Sequence, residues 1–308
     1  MSTLDSAALN ARFGIPEQLR FKDMPGGLVI AEIDNVHATA SIALQGAHLM
    51  TWTPRVAEGR GHPVIWLSEQ ASLAVGKSIR GGAPVCWPWF GPHPAEPKFP
   101  GHGFARTVPW DVVDTQKLGN GATRLVFRIV QSDVTRAQWP HPCELELHIV
   151  VGPTLEMDLV TRNTGSDTIT VGDALHTYFE VGDVRQVKVH GLDGCPYLDK
   201  VDGGARKQQN GPVTIAGEVD RIYLESTADC VIEDPVLARR IRIAKQGSAS
   251  SVVWNPWIEK AAKMGDLGEN GYLRMLCVES TNADADVVDI APGAEHHLWV
   301  RYSVEALA

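Results

Sequence analysis

Residues 143–162 read CELELHIVVGPTLEMDLVTR. Apolar and polar side chains alternate through CELELHIVV and again through TLEMDLVTR, with a period of two that a strand carries and a helix does not. Only Gly152 and Pro153 separate the two runs. Strand, two turn-forming residues and strand predict an antiparallel hairpin.

The same pattern recurs along the chain. HATASIAL (37–44), WDVVDT (110–115), TRLVFRIV (123–130), RRIRIA (239–244) and HHLWVRYSV (296–304) all alternate or are rich in β-formers. Gly, Pro, Asn and Asp punctuate the gaps, as in TGSD (164–167) and DGGA (202–205). Helical signals are few. A short helix is expected near residues 4–12. A second is expected in WNPWIEKAAKMG, with Asn255 as N-cap, Pro256 at the first helical position and Gly265 ending it. No period of 20–50 residues repeats, and no Ser- or Pro-rich linker divides the chain. These features predict an all-β protein: one large antiparallel β-sandwich with a few short helices.

The chain has 308 residues, 44% hydrophobic and 21% charged, as in an ordinary soluble globular protein. No apolar run approaches the ~20 residues of a membrane span, so no membrane partner is expected. MSTLDSAALNARFGI lacks the basic and apolar regions of a secretory signal. Five scattered cysteines with no CxxC pair argue against a disulfide framework or a zinc site, and the cytoplasm is the expected compartment. A net charge of −9 argues against a nucleic-acid surface, and requires any anionic ligand to be held by a local cluster of cations.

Four stretches carry chemistry. In SIRGGAPVCWPWFGPHP (78–94), Arg80 precedes two glycines that would let a ligand approach the backbone, and Trp87, Trp89 and Phe90 offer flat apolar faces to a sugar ring. Core packing is at least as good a reading of the two tryptophans. In FPGHGFARTVPW (99–110), His102 and Arg106 sit among glycines; Arg80 and Arg106 together would make a guanidinium fork for a phosphate. In DALHTYFEVGD (173–183), read as one strand, Leu175, Thr177, Phe179 and Val181 share a core face while His176, Tyr178 and Glu180 share the other. Glu180 reads best as a solvated charge. In LRMLCVES (273–280), Glu279 ends an apolar run where a carboxylate is costly unless it is partnered or used.

RGGAPVCWPWFG, HGFAR, LHTYF, WNPWIEKAAKM and MLCVES, in that order, resemble the hexose-6-phosphate 1-epimerases, a branch of the aldose 1-epimerase (galactose mutarotase-like) superfamily. The resemblance runs from about residue 25 to 303. It implies a many-stranded supersandwich over 25–308, a single domain, with residues 1–24 as an N-terminal extension. It also implies a monomer, a sugar phosphate as small-molecule partner, and no metal or organic cofactor. It places the catalytic histidine on His176, the catalytic glutamate on Glu279 and the phosphate-binding arginines on Arg80 and Arg106. His102, Trp89 and Phe90 would also meet the substrate, and a carboxylate for sugar hydroxyls falls on Asp199, in PYLDKV. Some relatives place a glutamine where this chain has Gly101.

The implied reaction is exchange of the α and β anomers of an aldohexose 6-phosphate, glucose 6-phosphate first among them. Glu279 as carboxylate and His176 as imidazolium are the expected reacting forms, the neighbouring carboxylate and a bound phosphate raising the histidine's pKa. Three other readings compete: a mutarotase for free aldoses, a sugar-binding or sensing module without catalysis, and a glycoside hydrolase, which needs a carboxylate pair that no motif singles out.

Overall fold

The computed structural model describes residues 5–56 and 59–307 of the chain. The hairpin forms where the alternation places it: Cys143–Val151 pairs antiparallel with Leu155–Asn163, with Val151 opposite Leu155. Its inward residues, including Leu145, Leu147, Leu159 and Met157, are fully buried. It lies within an eight-stranded antiparallel sheet that also holds Trp110–Lys117, Thr123–Ile129, Glu295–Ala306, Arg239–Gln246, Cys230–Asp234 and Lys188–His190.

A second eight-stranded sheet faces it. Its central strands are Val219–Tyr223, Ser250–Asn255 and Met275–Asn282, followed by Asp173–Leu175 and Val85–Cys86. One face supplies Val253, Leu276, Val278, Leu175 and Phe179 to the same core as Leu298, Val300 and Tyr302 of the first sheet. The Phe179 and Tyr302 rings meet edge to face at 5.1 Å across the layer. The opposite face carries Trp254, Cys277, Tyr178 and Ile222, and this is the face on which the cleft lies.

The N-terminal residues join the same core. Ser6–Phe13 is helical, capped by Asp5, whose carboxylate accepts from the Ala8 N–H. Leu19–Asp23 pairs with Val29–Asp34 in a five-stranded sheet. Leu9, Phe13, Leu19 and Phe21 are all part of the main cluster. In packing terms, residues 6–23 are thus continuous with the sandwich, and the boundary at 24/25 crosses a hairpin.

The second expected helix spans Trp257–Met264 and ends at Gly265, whose φ of 71° suits a residue without Cβ. Its start is one residue later than the sequence implies: Pro256 is the N-cap. Asn255 is instead the buried last residue of the preceding strand. Its side chain accepts from the Trp257 N–H and donates to the Tyr272 and Met275 carbonyls, tying the helix to the sheet.

Candidate active site

The stretch 173–183 is two short strands rather than one. Asp173–Leu175 and Tyr178–Glu180 both pair with Met275–Asn282, and the chain breaks between them. The Thr177 N–H turns back to the Leu175 carbonyl at 2.9 Å, a tight γ-like turn. On the core side the Thr177 hydroxyl meets the Tyr302 hydroxyl at 2.6 Å. The pairing on either side, Leu175 opposite Ser280 and Tyr178 opposite Cys277, sets His176 across from Glu279. The period of two puts Glu279 and Cys277 on one face, and the facing rows run through Val252 and Ile222, and through Trp254 and Asp220.

These rows floor a cleft of about 660 Å³. His176, Tyr178, Trp254 and Glu279 rise from the sheet, Lys260 and Met264 come from the helix, and Arg80, Phe90, His102 and Arg106 come from loops. The His176 Nδ1 lies 3.3 Å from a Glu279 carboxylate oxygen, with the glutamate side chain 1% exposed and the histidine 13%. The imidazole stacks on the Tyr178 ring at 5.0 Å.

Burial dominates the electrostatics of this pair. It pushes Glu279 well above the usual carboxylate range and His176 well below the usual imidazole range, the latter helped by His102, Arg106 and Arg80. Both directions favour an uncharged resting pair with its proton on Glu279. Without a bound phosphate, desolvation and the guanidiniums of Arg106 and Arg80 thus oppose the imidazolium that the adjacent carboxyl group would favour.

Arg80 is pinned between the Asp266 carboxylate, 3.0 Å from Nε, and the Tyr178 hydroxyl, 2.9 Å from a terminal nitrogen. Arg106 lies in the 3-10 turn Ala105–Thr107 and donates to the Gly101 carbonyl. Both thus line the cleft as pre-positioned guanidiniums. The glycines beside them serve the protein's own backbone rather than a ligand. A Cβ on Gly82 would lie 2.2 Å from the His48 ring and 2.4 Å from the Leu49 carbonyl, and one on Gly103 would lie 1.9 Å from the Trp87 carbonyl.

His102 also lines the cleft. Its Nδ1 accepts from the Gly91 N–H, which leaves the Nε2 to carry the ring proton. Burial, and then Arg106, push its pKa down to about 4, so it is a neutral donor. Phe90 packs edge to face on it at 4.7 Å and borders the cleft.

Two expected contacts fall elsewhere. Trp89 is 7% exposed, packs among Phe99, Phe104 and His93, and donates to the Pro100 carbonyl; it is core, as is Trp87. Asp199 caps the turn Lys200–Asp202 and pairs with Lys207 at 2.8 Å; its neighbour Lys200, and not Asp199 itself, lines the cleft. Asp220, on the adjacent strand Val219–Tyr223, lines the cleft with Glu279 and Asp284, and pairs with Lys260. Glu180 is not a free charge either: Arg274, the neighbour of its strand partner Met275, holds it at 2.7 Å.

Sequence reasoning missed Asp220, Trp254, Lys200 and Lys260. Trp254 and Lys260 belong to the quoted WNPWIEK stretch. Asp220 and Ile222 alternate in VDRIY, but only the strand pairing reveals which face meets the cleft.

The family model described as aldose 1-epimerase matches residues 30–303. The chain belongs to the aldose 1-epimerase family. It is 40% identical over 252 residues to the Escherichia coli K12 protein named "Putative glucose-6-phosphate 1-epimerase", covering 82% of each chain. A Cenchrus ciliaris protein of the same name is 32% identical over 267 residues, covering 83% of this chain and 78% of that one. Among solved structures, a "putative mutarotase (YeaD)" of Salmonella typhimurium superposes with a TM-score of 0.87 at 34% identity, over 96% of each chain. The antiparallel, galactose mutarotase-like architecture is thus common to this chain and its relatives. Among the described residues, no helix is long and apolar enough to cross a membrane.

Proposed function

We propose that this member of the aldose 1-epimerase family is a hexose-6-phosphate mutarotase, with glucose 6-phosphate as its first substrate. The observation that carries the reading is one arrangement: a buried acid–base pair at 3.3 Å in a cleft that also presents Arg80 and Arg106. The names of the relatives point the same way.

The pair needs one proton between its two members. Glu279 as carboxylate takes the proton of the anomeric hydroxyl while His176 as imidazolium gives one to the ring oxygen, and the C1–O5 bond breaks. The proton then rests on Glu279 and the imidazole is neutral, which is the charge state that burial favours. The aldehyde turns about C1–C2, and the two transfers run backwards on the other face. A bound phosphate dianion offsets Arg80 and Arg106, two of the charges that depress His176, and so favours the imidazolium that the closed sugar needs. Each well-placed transfer group is worth ~10²–10⁴ in rate. The guanidiniums act by orientation, with each charge-assisted bond contributing ~1.5–3 kcal/mol.

The test is anomer exchange followed by NMR on glucose 6-phosphate, free glucose and free galactose. Selective acceleration for the phosphate ester is expected. Equal acceleration of all three would reassign the protein to free aldoses, and none would leave a binding module.

A further inference from the structure

The function above uses His176 and Glu279 but leaves Cys277 without a role. Cys277 shares the cleft-facing side of its strand with Glu279 and lies opposite Tyr178, one step from His176. One donor atom from each of His176, Cys277 and Glu279 lies within 4.8 Å of the others. The His176 Nδ1 and the Glu279 Oε2 are both buried, and among the described residues neither makes a hydrogen bond. Such lone pairs are costly to bury unsatisfied.

We propose that the floor of this cleft is also a binding site for a thiophilic divalent cation, Zn²⁺ fitting best. Its ligands are the His176 Nδ1, the Cys277 Sγ and the Glu279 carboxylate, and occupancy excludes the sugar phosphate and stops anomer exchange. The inhibition rests on the proposed catalytic reading of the same pair; the binding does not.

Tetrahedral zinc with bonds of about 2.0–2.3 Å sets its donors roughly 3.3–3.8 Å apart. The histidine and glutamate already meet that spacing at 3.3 Å. The thiol needs to close by about an ångström at most, within reach of a side-chain rotation. Thiolate with imidazole selects zinc over magnesium or calcium, which prefer oxygen. Three protein ligands leave a fourth position, facing the cleft, for water. On binding, the thiol and carboxyl protons pass to solvent and nothing is oxidised. The two anions cancel the metal's charge, so Arg80 and Arg106 face a neutral set rather than a repelling dication. A metal seated there ties up both proton carriers at once.

The experiment loads the metal-free full chain with Co²⁺, whose thiolate charge-transfer band reports coordination without any turnover. A near-ultraviolet band displaced by Zn²⁺ and weakened by excess glucose 6-phosphate is expected. Cys277→Ser should abolish the band and weaken the Co²⁺ affinity at least ~10-fold. It should keep metal-free exchange and escape inhibition by micromolar Zn²⁺. Glu279→Gln should weaken the band with Cys277 intact, which covers a failure of the serine variant to fold. No band in the wild-type chain, or a band unchanged in both variants, overturns the site. A Cys277-dependent band in a protein that exchanges no anomers upholds the site and overturns the function proposed above.

Discussion

At the residue scale, one proton shared by His176 and Glu279 decides the pH behaviour. The pair is active while it holds a single proton. It gains a second only below the lowered pKa of His176 and loses its last only above the raised pKa of Glu279. The kcat/KM profile, which reports the free enzyme, is therefore expected to have its acid limb set by the lowered pKa of His176 and its alkaline limb by the raised pKa of Glu279. Glu279→Gln should remove the alkaline limb and lower kcat by ~10²–10⁴, with glucose 6-phosphate affinity nearly unchanged. His176→Ala at full turnover would refute the acid assignment. Arg80→Lys and Arg106→Lys keep a charge but lose the planar fork, so KM for the phosphate ester should rise ~10-fold or more at similar kcat. KM for free glucose should not move.

At the element scale, the interruption at residues 176–177 matters more than the strands around it. The Leu175–Thr177 turn breaks the pairing with Met275–Asn282, while the His176 N–H still donates to the Pro84 carbonyl at 3.0 Å and the Thr177–Tyr302 hydroxyl contact anchors the turn from the core. Tyr302→Phe removes that anchor and leaves the Thr177 hydroxyl only its 3.3 Å bond to the Leu175 carbonyl. A loss of about 0.5–1.5 kcal/mol in stability is expected, as for one net hydrogen bond. Steady-state kinetics should separate positioning from mere destabilisation: well below the melting point, kcat should fall while KM stays constant. The loop elements are fixed differently. Gly103→Ala would drive a Cβ into the Trp87 carbonyl at a φ of 70°, so it should displace the HGFAR loop and raise KM for the phosphate ester.

At the scale of the whole molecule, stability should depend on a buried acid that the proposed chemistry does not use. Asp173 is fully buried, neither carboxylate oxygen has a hydrogen-bond partner among the described residues, and burial pushes its pKa up to about 8, with Asp286 adding to the rise. A folded pKa above the unfolded one, near 3.9, means that the folded chain binds the extra proton between the two values. Its contribution is fully present below pH 4 and is lost as pH rises through about 8. Asp173→Asn should therefore leave the denaturation midpoint nearly unchanged at pH 4 and raise it at pH 8. Equal shifts at both pH values would show that Asp173 titrates normally.

The alternation in CELELHIVVGPTLEMDLVTR and its counterparts determined the strands, because side-chain direction in a strand follows from local backbone geometry alone. The ordered motifs determined the family, and with it His176, Glu279, Arg80 and Arg106 as the groups to examine. Alternation cannot say which strands are neighbours or which of two faces meets a cleft. Asp199 and Asp220 look alike in sequence, each an acid within an apolar-alternating run, and only the pairing across Val219–Tyr223 and Ser250–Asn255 distinguishes the capping residue from the one in the cleft. Trp89 and Trp254 differ in the same way. The resting proton was decided by tertiary structure as well. A carboxyl group and an imidazole are each ionisable in any sequence, and burial in the same dry floor, 103 residues apart along the chain, is what drives both toward neutrality.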